Sequence, residues 1–207
     1  MESPLRPDTP AVIETFAWDG AEFARLAAHL GRARSTCAAL GLAFDKSAIN
    51  TALSAAPAGT PARTRLLICG DGPTVSFAPL SPNPAEWRVA LHPQRLHSTD
   101  RWLQMKTTNR ALYDIARAAL PDGVDEYLFL NERDELCEGT ISNLFIRRGE
   151  TLLTPPGRCG LLPGILRAEL LGNARAEAAV LHPDDLHNTD IFMGNALRGL
   201  IAVALVG

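Results

Sequence analysis

The sequence predicts a mixed α/β fold, because patterns typical of strands and of helices interleave along all 207 residues. Apolar residues make up 46% of the chain, which is enough to enclose a substantial core. A stretch that mixes Pro, His and Ser interrupts these patterns at residues 92–99, where we expect a hinge. We therefore predict an α/β (mixed α+β) chain with a smaller N-terminal domain over residues 1–97 and a larger C-terminal domain over residues 98–207.

The first half opens with prolines at positions 4, 7 and 10, which predict an extended lead-in over residues 1–10. Alternating apolar and β-branched residues then predict a strand over 11–18. An apolar stripe at three- and four-residue steps predicts a helix over 21–40, which Gly41 should end. The remaining predicted elements of this half are a helix over 45–55, a hairpin over 64–77 and a strand over 87–91.

The second half shows the same alternation of patterns. A helix is predicted over 109–120, where Pro121-Asp122-Gly123 should end it. An amphipathic helix is predicted over 164–179. The other predicted elements are a strand over 124–131, extended segments over 136–147, a strand over 152–154, and short strands with turns up to residue 206.

Composition and charge exclude several classes of partner. The formal charge of −3 arises from 20 basic and 23 acidic residues that are mixed along the chain. No basic field is therefore available, and we expect neither nucleic acid nor a membrane as a partner. No apolar run approaches the ~20 residues that span a bilayer. Since the start, Met1-Glu2-Ser3-Pro4, also lacks a basic segment followed by an apolar one, we expect a cytoplasmic protein.

The sequence predicts neither a disulfide framework nor a metal site. Its four cysteines show no Cys-x-x-Cys spacing and stand among apolar or small residues, so we expect reduced core or loop thiols. The segment His182-Pro183-Asp184-Asp185-Leu186-His187 contains residue types that bind metals. A helix that starts at proline explains its acids equally well.

Three segments carry the candidate chemistry. They are Met105-Lys106-Thr107-Thr108-Asn109-Arg110, Glu138-Gly139-Thr140-Ile141-Ser142-Asn143 and Leu162-Pro163-Gly164-Ile165-Leu166-Arg167. In order, they offer an amine, a carboxylate and a glycine-opened helix. Pyridoxal phosphate requires an amine for a Schiff base, a carboxylate that keeps its pyridine nitrogen protonated, and backbone N–H groups for its phosphate. The three segments therefore look like a pyridoxal phosphate site.

Each of these residues also has an ordinary structural interpretation. By itself, Lys106 is typical of a solvated surface lysine, and Glu138 is typical of a turn or cap. A buried acid prefers to be neutral unless a cation lies beside it, so the functional interpretation of Glu138 requires a partner such as a protonated pyridine nitrogen. A proline–glycine helix start is common. The missing Cβ of Gly164 would nevertheless let a phosphate approach the N–H groups of Ile165 and Leu166.

Over residues 12–203 these segments resemble the class IV aminotransferases, the fold-type IV pyridoxal phosphate enzymes, and most closely their aminodeoxychorismate lyase branch. The resemblance implies a two-domain fold like that of the D-amino-acid and branched-chain aminotransferases, with the cofactor between the domains, and a homodimer. Family members also begin with a further strand and an arginine-containing loop. Only residues 1–12 precede the matching Ile13-Glu14-Thr15-Phe16 here, so we expect a truncated start of the N-terminal domain.

The resemblance assigns roles to individual residues. Lys106 would form the Schiff base and transfer protons, and Glu138 would face the pyridine nitrogen. Arg32, in His29-Leu30-Gly31-Arg32, matches an arginine that reaches the phosphate, although a solvated helix charge is the alternative. The other residues matched are Gly164, Ile165, Leu166, Asn195 and Ala196 at the phosphate, Asn143 beside the Glu138 loop, Thr15 at the floor of the site, and Arg110 and Arg198 for substrate carboxylates. Either of these last two arginines could equally form a surface ion pair.

The implied reaction is that of aminodeoxychorismate lyase, which converts 4-amino-4-deoxychorismate into 4-aminobenzoate and pyruvate. The alternative within the family is an aminotransferase for branched-chain or D-amino acids, which would use Lys106 for a different proton shift. A third possibility, from another class, is a protein that binds pyridoxal phosphate without turnover. Cofactor absorbance together with pyruvate formation would separate the third possibility from the other two.

Overall fold

The computed structural model describes residues 10–207, so the predicted lead-in lies outside the described residues except for Pro10. The protein is a mixed α and β structure, as predicted. It divides into two compact units. The first contains residues 10–81 and 105–109, and the second contains residues 82–104 and 110–207.

This division falls at different residues from the predicted boundary between 97 and 98. The strand β4 (Glu86–Leu91) pairs in parallel with strands near 126–128 and 202–205, which belong to the second unit. Residues 105–109 return to the first unit because Thr107 forms a β-bridge with Val12. The predicted Schiff-base lysine therefore lies in the first unit, whereas the carboxylate assigned to the cofactor lies in the second.

The first unit is a three-stranded antiparallel sheet with two helices. The strands β1 (Val12–Trp18), β2 (Ala62–Cys69) and β3 (Gly72–Pro79) follow one another in the sheet. The helices are α1 (Leu26–Leu40) and α2 (Lys46–Leu53). Their shared core contains Val12, Phe16, Leu30, Ala33, Cys37, Leu42, Ile49, Leu53, Leu66 and Ile68.

The helix predicted over 21–40 is wrong at its N-terminus and right at its C-terminus. Residues before α1 form a turn, because the Asp19 carboxylate accepts the N–H groups of Ala21 and Glu22 at 2.8 and 2.7 Å. Arg25 then takes the left-handed conformation with φ of 55°, which a helix interior does not allow. At the other end Gly41 has φ of 69° and ends the helix as predicted.

The second unit is built on an eight-stranded sheet. After β4 its strands are β5 (Glu126–Leu130), β6 (Leu136–Gly139), β7 (Asn143–Arg148), β8 (Thr151–Thr154), β9 (Ala176–Ala178), β10 (Ile191–Asn195) and β11 (Gly199–Leu205). Its helices are α3 (Ala111–Ala118) and α4 (Ile165–Gly172), with 3₁₀ turns at Arg101–Gln104, Gly157–Cys159 and Pro183–Leu186. The strand order is β10-β11-β4-β5-β6-β7-β8-β9, and β10 also pairs with β7. This extra pairing closes six of the strands into a barrel.

The barrel encloses an apolar core. Its buried members include Trp87, Val89, Leu128, Leu130, Leu136, Leu144, Ile146, Met193 and Ile201. These side chains come from all six strands of the closed ring. Glu138 and Asn143 stand on neighbouring strands of the same ring, β6 and β7, where they pair directly. The closed sheet therefore holds the segment around Glu138 on a rigid frame.

The helix predicted over 164–179 is wrong in its second half. α4 ends at Gly172, and Ala174 takes a left-handed φ of 57°. Residues 176–178 then pair in parallel with β8 as β9. The apolar residues after 172 thus belong to a strand at the edge of the sheet and not to another helical turn. Pairing with β8 has overridden the local helical pattern.

All four cysteines are free thiols, as predicted, and Cys37, Cys137 and Cys159 are buried. Burial raises the pKa of Cys37 and of Cys159 to about 11, which keeps both thiols protonated near neutral pH.

None of the helices formed by residues 10–207 is long and apolar enough to cross a membrane.

Leu128 is fully buried in the barrel, whereas Leu91 on the adjacent strand is 42% exposed. We expect Leu128→Ala to lower the free energy of unfolding by about 2–5 kcal/mol, because it leaves a cavity that the closed sheet cannot collapse. The matched change Leu91→Ala should cost less than about 1 kcal/mol. Urea unfolding followed by far-UV circular dichroism measures both, and equal losses would contradict the position of the core.

Candidate active site

Lys106 lies in a short extended segment at the edge of β1. The N–H of Ile13 donates to the carbonyl of Lys106 at 2.8 Å, and the N–H of Thr108 donates to the carbonyl of Ala11 at 2.9 Å. The neighbouring Thr107 is buried, with 2% of its surface exposed, while the side chain of Lys106 is half-buried. Main-chain bonds thus fix the backbone around Lys106, as a reactive side chain requires.

Thr15 lies two positions along β1 from Ile13, the residue that is bonded to Lys106. Side chains alternate between the faces of a strand, so Thr15 shares the face of Ile13, and Glu14 points to the opposite face. Thr15 is half-buried. The first unit therefore brings Thr15 onto the strand beside the Lys106 segment, and its role in proton transfer stays a prediction.

Arg32 is held in a buried cluster that the sequence did not predict. The Glu14 carboxylate accepts two hydrogen bonds from the Arg32 guanidinium, one from Nε at 2.8 Å and one from a terminal nitrogen at 2.7 Å. The two residues therefore form a bidentate pair. Nδ1 of His29 lies 2.6 Å from the same carboxylate. Glu14 and His29 are each 1% exposed. The signal that could have revealed the cluster is an acid in an apolar strand, facing a helix with His and Arg three positions apart.

The protonation states within this cluster follow from its contacts. Burial alone would raise the pKa of the Glu14 carboxyl, but the hydrogen bonds and charges of Arg32 and His29 outweigh it and hold that pKa below its usual value. Nε2 of His29 is buried and has no hydrogen-bond partner among residues 10–207. Nδ1 of His29 lies 2.6 Å from the Glu14 carboxylate, so a proton on that nitrogen donates to Glu14.

In the second unit, Glu138 is clamped from two sides. The hydroxyl of Tyr113 donates to one carboxylate oxygen at 2.8 Å, and Nδ2 of Asn143 donates to the other at 3.3 Å. Glu138 is 5% exposed. Burial, together with the charge and hydrogen bond of Glu138, raises the pKa of Tyr113 well above its usual value, so the phenol remains a donor. Asn143 also donates to the carbonyl of Leu162 at 3.0 Å, so it holds the Glu138 segment as expected.

The turn that follows Glu138 is organised by Glu126, a residue that the sequence did not single out. The Glu126 carboxylate is fully buried and accepts the N–H of Thr140 at 3.0 Å, the N–H of Ile141 at 3.3 Å and the hydroxyl of Ser142 at 3.1 Å. A Cβ added to Gly139 would stand only 3.0 Å from Cδ of Glu126. Cε of Met193 and the carbonyl oxygen of Tyr127 would be closer still, at 2.5 and 2.9 Å, so the packing of all three groups requires glycine after Glu138.

Two predicted substrate and phosphate segments attach to that same turn. Arg110 donates to the carbonyl of Thr140 at 2.8 Å and pairs with Asp114 at 2.8 Å. Nδ2 of Asn195 donates to the next carbonyl, that of Ile141, at 3.3 Å. The Asn195 side chain in turn accepts the N–H of Arg198 at 3.0 Å. The second unit thus assembles Arg110 and the Asn195-Ala196-Leu197-Arg198 turn around the loop that carries Glu138.

The guanidinium of Arg198 also has a local partner. One of its terminal nitrogens donates to the side-chain oxygen of Asn83 at 3.1 Å, and the Asn83 amide donates to the Arg198 carbonyl at 2.6 Å. Arg198 is therefore partly engaged at the surface, as is Arg110 through Asp114. The role of either arginine in binding a carboxylate stays a prediction.

The start of α4 is close to Asn143 and lacks a side-chain cap. Gly164 is the N-cap residue with φ of −64° and ψ of 145°, and no side chain caps this end of the helix. A Cβ at Gly164 would run into the side-chain oxygen of Asn143. Ile165 and Leu166 are buried in the first turn. The helix thus presents first-turn N–H groups beside the Asn143 and Glu138 pair, an arrangement suited to an anion.

Arg167 in the same turn is a buried cation. It is 8% exposed, and one terminal nitrogen donates to the carbonyl of Pro155 at 2.7 Å. Its Nε is buried without a hydrogen-bond partner among the described residues. Burial lowers the pKa of Arg167, while the charge of Glu138 acts in the opposite direction.

Residues 10–207 contain no group of three or more His, Cys, Asp or Glu side chains that could hold a metal ion.

Comparison with known proteins gives a consistent family likeness. The family model "Amino-transferase class IV" matches residues 11–206. A comparison with curated proteins found no match. Among solved structures, a protein from Mesorhizobium loti described as a "Putative amino-acid aminotransferase" is 44% identical with a TM-score of 0.90, and the match covers 95% of this chain and 100% of that one.

Two further solved structures share the fold at lower identity. The 4-amino-4-deoxychorismate lyase from Pseudomonas aeruginosa is 23% identical with a TM-score of 0.81, over 96% of this chain and 83% of that one. A hypothetical aminotransferase from Mycobacterium tuberculosis in its PLP-bound form is 20% identical with a TM-score of 0.81, over 97% of this chain and 82% of that one. At these identities the likeness shows the fold alone.

Gly164 offers a test of the site geometry. We expect Gly164→Ala to lower the free energy of unfolding by about 1–3 kcal/mol, because the new methyl group displaces Asn143 from its two hydrogen bonds. The backbone angles of Gly164 suit alanine, so the loss is steric. The matched change in the same helix, Gly172→Ala, meets no atom within 4 Å and should be neutral or stabilising. Thermal unfolding compares the two variants, and equal effects would refute the contact.

Proposed function

Because this chain belongs to the class IV aminotransferase family, whose members are pyridoxal phosphate-dependent enzymes, we propose that Lys106 and Glu138 form its catalytic centre. The chain is accordingly a pyridoxal phosphate-dependent enzyme. The observation that carries the assignment of residues is the clamped carboxylate of Glu138. A carboxylate that accepts a hydrogen bond on each oxygen is held in one orientation, as pairing with a protonated ring nitrogen requires.

The residues of the second unit fit this cofactor. Because Gly164 has no Cβ, the Asn143 side chain packs directly against an uncapped helix start. Nε of Arg167 is a buried donor that lacks a partner among residues 10–207. Helix N-termini and unpaired guanidinium donors are both suited to phosphate. We therefore propose that Gly164, Ile165 and Leu166 hold the phosphate, with Asn195 and Ala196 adding to the same group.

For the first unit we propose roles for Lys106 and Arg32. Lys106 would hold the cofactor covalently through its ε-amino group, and Arg32 would bind the phosphate with its guanidinium. When bound, pyridoxal phosphate supplies an electron-withdrawing ring that stabilises negative charge on the substrate carbon next to the amino group. Released from the cofactor by the substrate amine, Lys106 would move a proton at the reacting carbon. Thr15 would assist that transfer.

For the reaction we propose an aminodeoxychorismate lyase-like activity. Arg110 donates to the carbonyl of Thr140 in the loop after Glu138, and Asn195 donates to the next carbonyl of that loop. Asn195 also holds the backbone of Arg198. These contacts support the placing of two cationic groups near a substrate that carries carboxylates. Lys106 would remove the ring proton of 4-amino-4-deoxychorismate and return a proton to the departing enolpyruvate. The C–O bond breaks in this step, so that 4-aminobenzoate and pyruvate are the products.

An aminotransferase is the second candidate, and the 44% identity to the Mesorhizobium loti protein favours it. A branched-chain or D-amino-acid substrate needs one carboxylate site and an apolar pocket rather than two cationic groups. In that case Lys106 would move a proton between the two carbons that flank the amino nitrogen. We further propose, by family likeness, that the enzyme is a cytoplasmic homodimer with small amino compounds as substrates.

The chain contains only two lysines, Lys106 and the exposed Lys46, which makes the attachment site easy to test. After loading with pyridoxal phosphate and reduction with borohydride, we expect peptide mapping to find the pyridoxyl group on Lys106. Lys106→Ala should leave no pyridoxyl group on the chain, whereas Lys46→Ala should behave as the unmodified protein. A reduced adduct on Lys46 or on the N-terminal amine would reject the assignment.

The two candidate reactions differ in their products. From 4-amino-4-deoxychorismate we expect the loaded enzyme to release equal amounts of 4-aminobenzoate and pyruvate, measured by chromatography and a coupled assay. Amino-group transfer from leucine or D-alanine to 2-oxoglutarate should be slower or absent. Transfer without 4-aminobenzoate would make the enzyme an aminotransferase. Neither product, with the cofactor bound to Lys106, would identify a binding protein without turnover.

A further inference from the structure

Glu14 stands at the centre of a cluster that the proposed reaction does not use. Its carboxylate lies between Arg32, bound through two nitrogens at 2.8 and 2.7 Å, and His29, at 2.6 Å. It is 1% exposed, and the side chain of Arg32 is 12% exposed. Phe16 packs on the His29 ring with centroids 5.1 Å apart. All of these residues belong to the first unit.

Stability alone does not account for such a cluster. Two buried charges lose hydration that their attraction only partly restores, and apolar residues of the same volume often stabilise a protein as well or better. The position faces the apolar core of the first unit, where Val12 and Phe16 occupy the same side of β1. An apolar residue would therefore suit the site if packing were the only requirement. What the carboxylate adds is a fixed plane for the Arg32 guanidinium.

The bidentate contact fixes that plane because two parallel bonds leave the guanidinium no freedom to rotate. His29 fixes the carboxylate in turn. Its Nδ1 lies 2.6 Å from the carboxylate, so a proton on that nitrogen donates to Glu14. The three residues thus form a chain in which His29 orients Glu14 and Glu14 orients Arg32.

We propose that Glu14 is a positioning residue that presents Arg32 to the phosphate of the cofactor, with His29 as its support. The inference rests on the proposed role of Arg32 in phosphate binding. It assigns Glu14 no contact with the cofactor or substrate. Pre-orientation raises affinity because the arginine does not lose side-chain freedom when the phosphate arrives.

The test compares two ligands that differ only in the phosphate. Pyridoxal phosphate and pyridoxal are titrated into the cofactor-free full chain, and binding is followed by absorbance. We expect Glu14→Gln to weaken pyridoxal phosphate binding about 10-fold, since a neutral amide cannot accept both Arg32 nitrogens and also His29. Pyridoxal binding should change less than about 2-fold, which a general loss of structure would not produce. The exposed Glu22→Gln serves as the matched control in the same unit.

A double-mutant cycle shows whether Glu14 acts through Arg32. In an Arg32→Ala background, Glu14→Gln should have no further effect on pyridoxal phosphate affinity. Additive losses, equal losses for both ligands, or tighter binding because Glu14 competes with the phosphate would each overturn the proposal. Unchanged affinity in Arg32→Ala alone, with the adduct still on Lys106, would reject the role of Arg32 and leave the cofactor site in place.

Glu14→Asp is the second variant, in case Glu14→Gln fails to fold. It keeps the charge but shortens the side chain by one methylene, so the carboxylate no longer spans both nitrogens of Arg32 from β1. We expect the same selective loss of pyridoxal phosphate affinity, about 3- to 10-fold, with little change for pyridoxal. Full affinity for both ligands in this variant would show that charge rather than geometry matters and would refute the positioning role.

Discussion

A fully buried carboxylate must be surrounded by donors, and this constraint on Glu126 shapes the part of the second unit on which the candidate site depends. Besides the N–H of Tyr127, the donors come from Thr140, Ile141 and Ser142, so the turn after β6 wraps around one carboxylate. The carbonyls of this turn then face outward, where Arg110 and Asn195 bind them. One hydrogen-bonding requirement thus determines where several candidate groups lie relative to Glu138.

The first unit repeats this principle with a different residue. Glu14 is buried against α1 and requires the donors of His29 and Arg32, and those donors fix the helix face against β1. The same strand holds the Lys106 segment through its outer edge. A buried acid therefore lies at the centre of the polar groups in each unit. In both cases the hydrogen bonds fix where the neighbouring segments lie, whereas a buried ion pair is by itself weak evidence for stability.

Several features could be predicted from the sequence because their causes are local. The apolar stripe of α1 and its stop at Gly41 follow from helical spacing and a left-handed glycine. Lys106, Glu138 and Gly164 were recognised because each lies in a short segment whose residue types suit the cofactor. The same local reasoning failed at residues 173–179, where pairing with β8 overrides the helical pattern. It also failed at residues 21–25, where the Asp19 side chain caps a turn.

The sequence by itself therefore determined the mixed α/β class, the family likeness and the segments that bear the reacting groups. Only the tertiary structure decided which side chains support them. Tyr113 meets Glu138 across 25 positions, Glu126 meets Thr140 across 14, and Glu14 meets His29 across 15. No local pattern encodes such pairs. They form because the closed sheet and the packed helix exclude water from each carboxylate, and each then takes whichever donors the fold brings within hydrogen-bond distance.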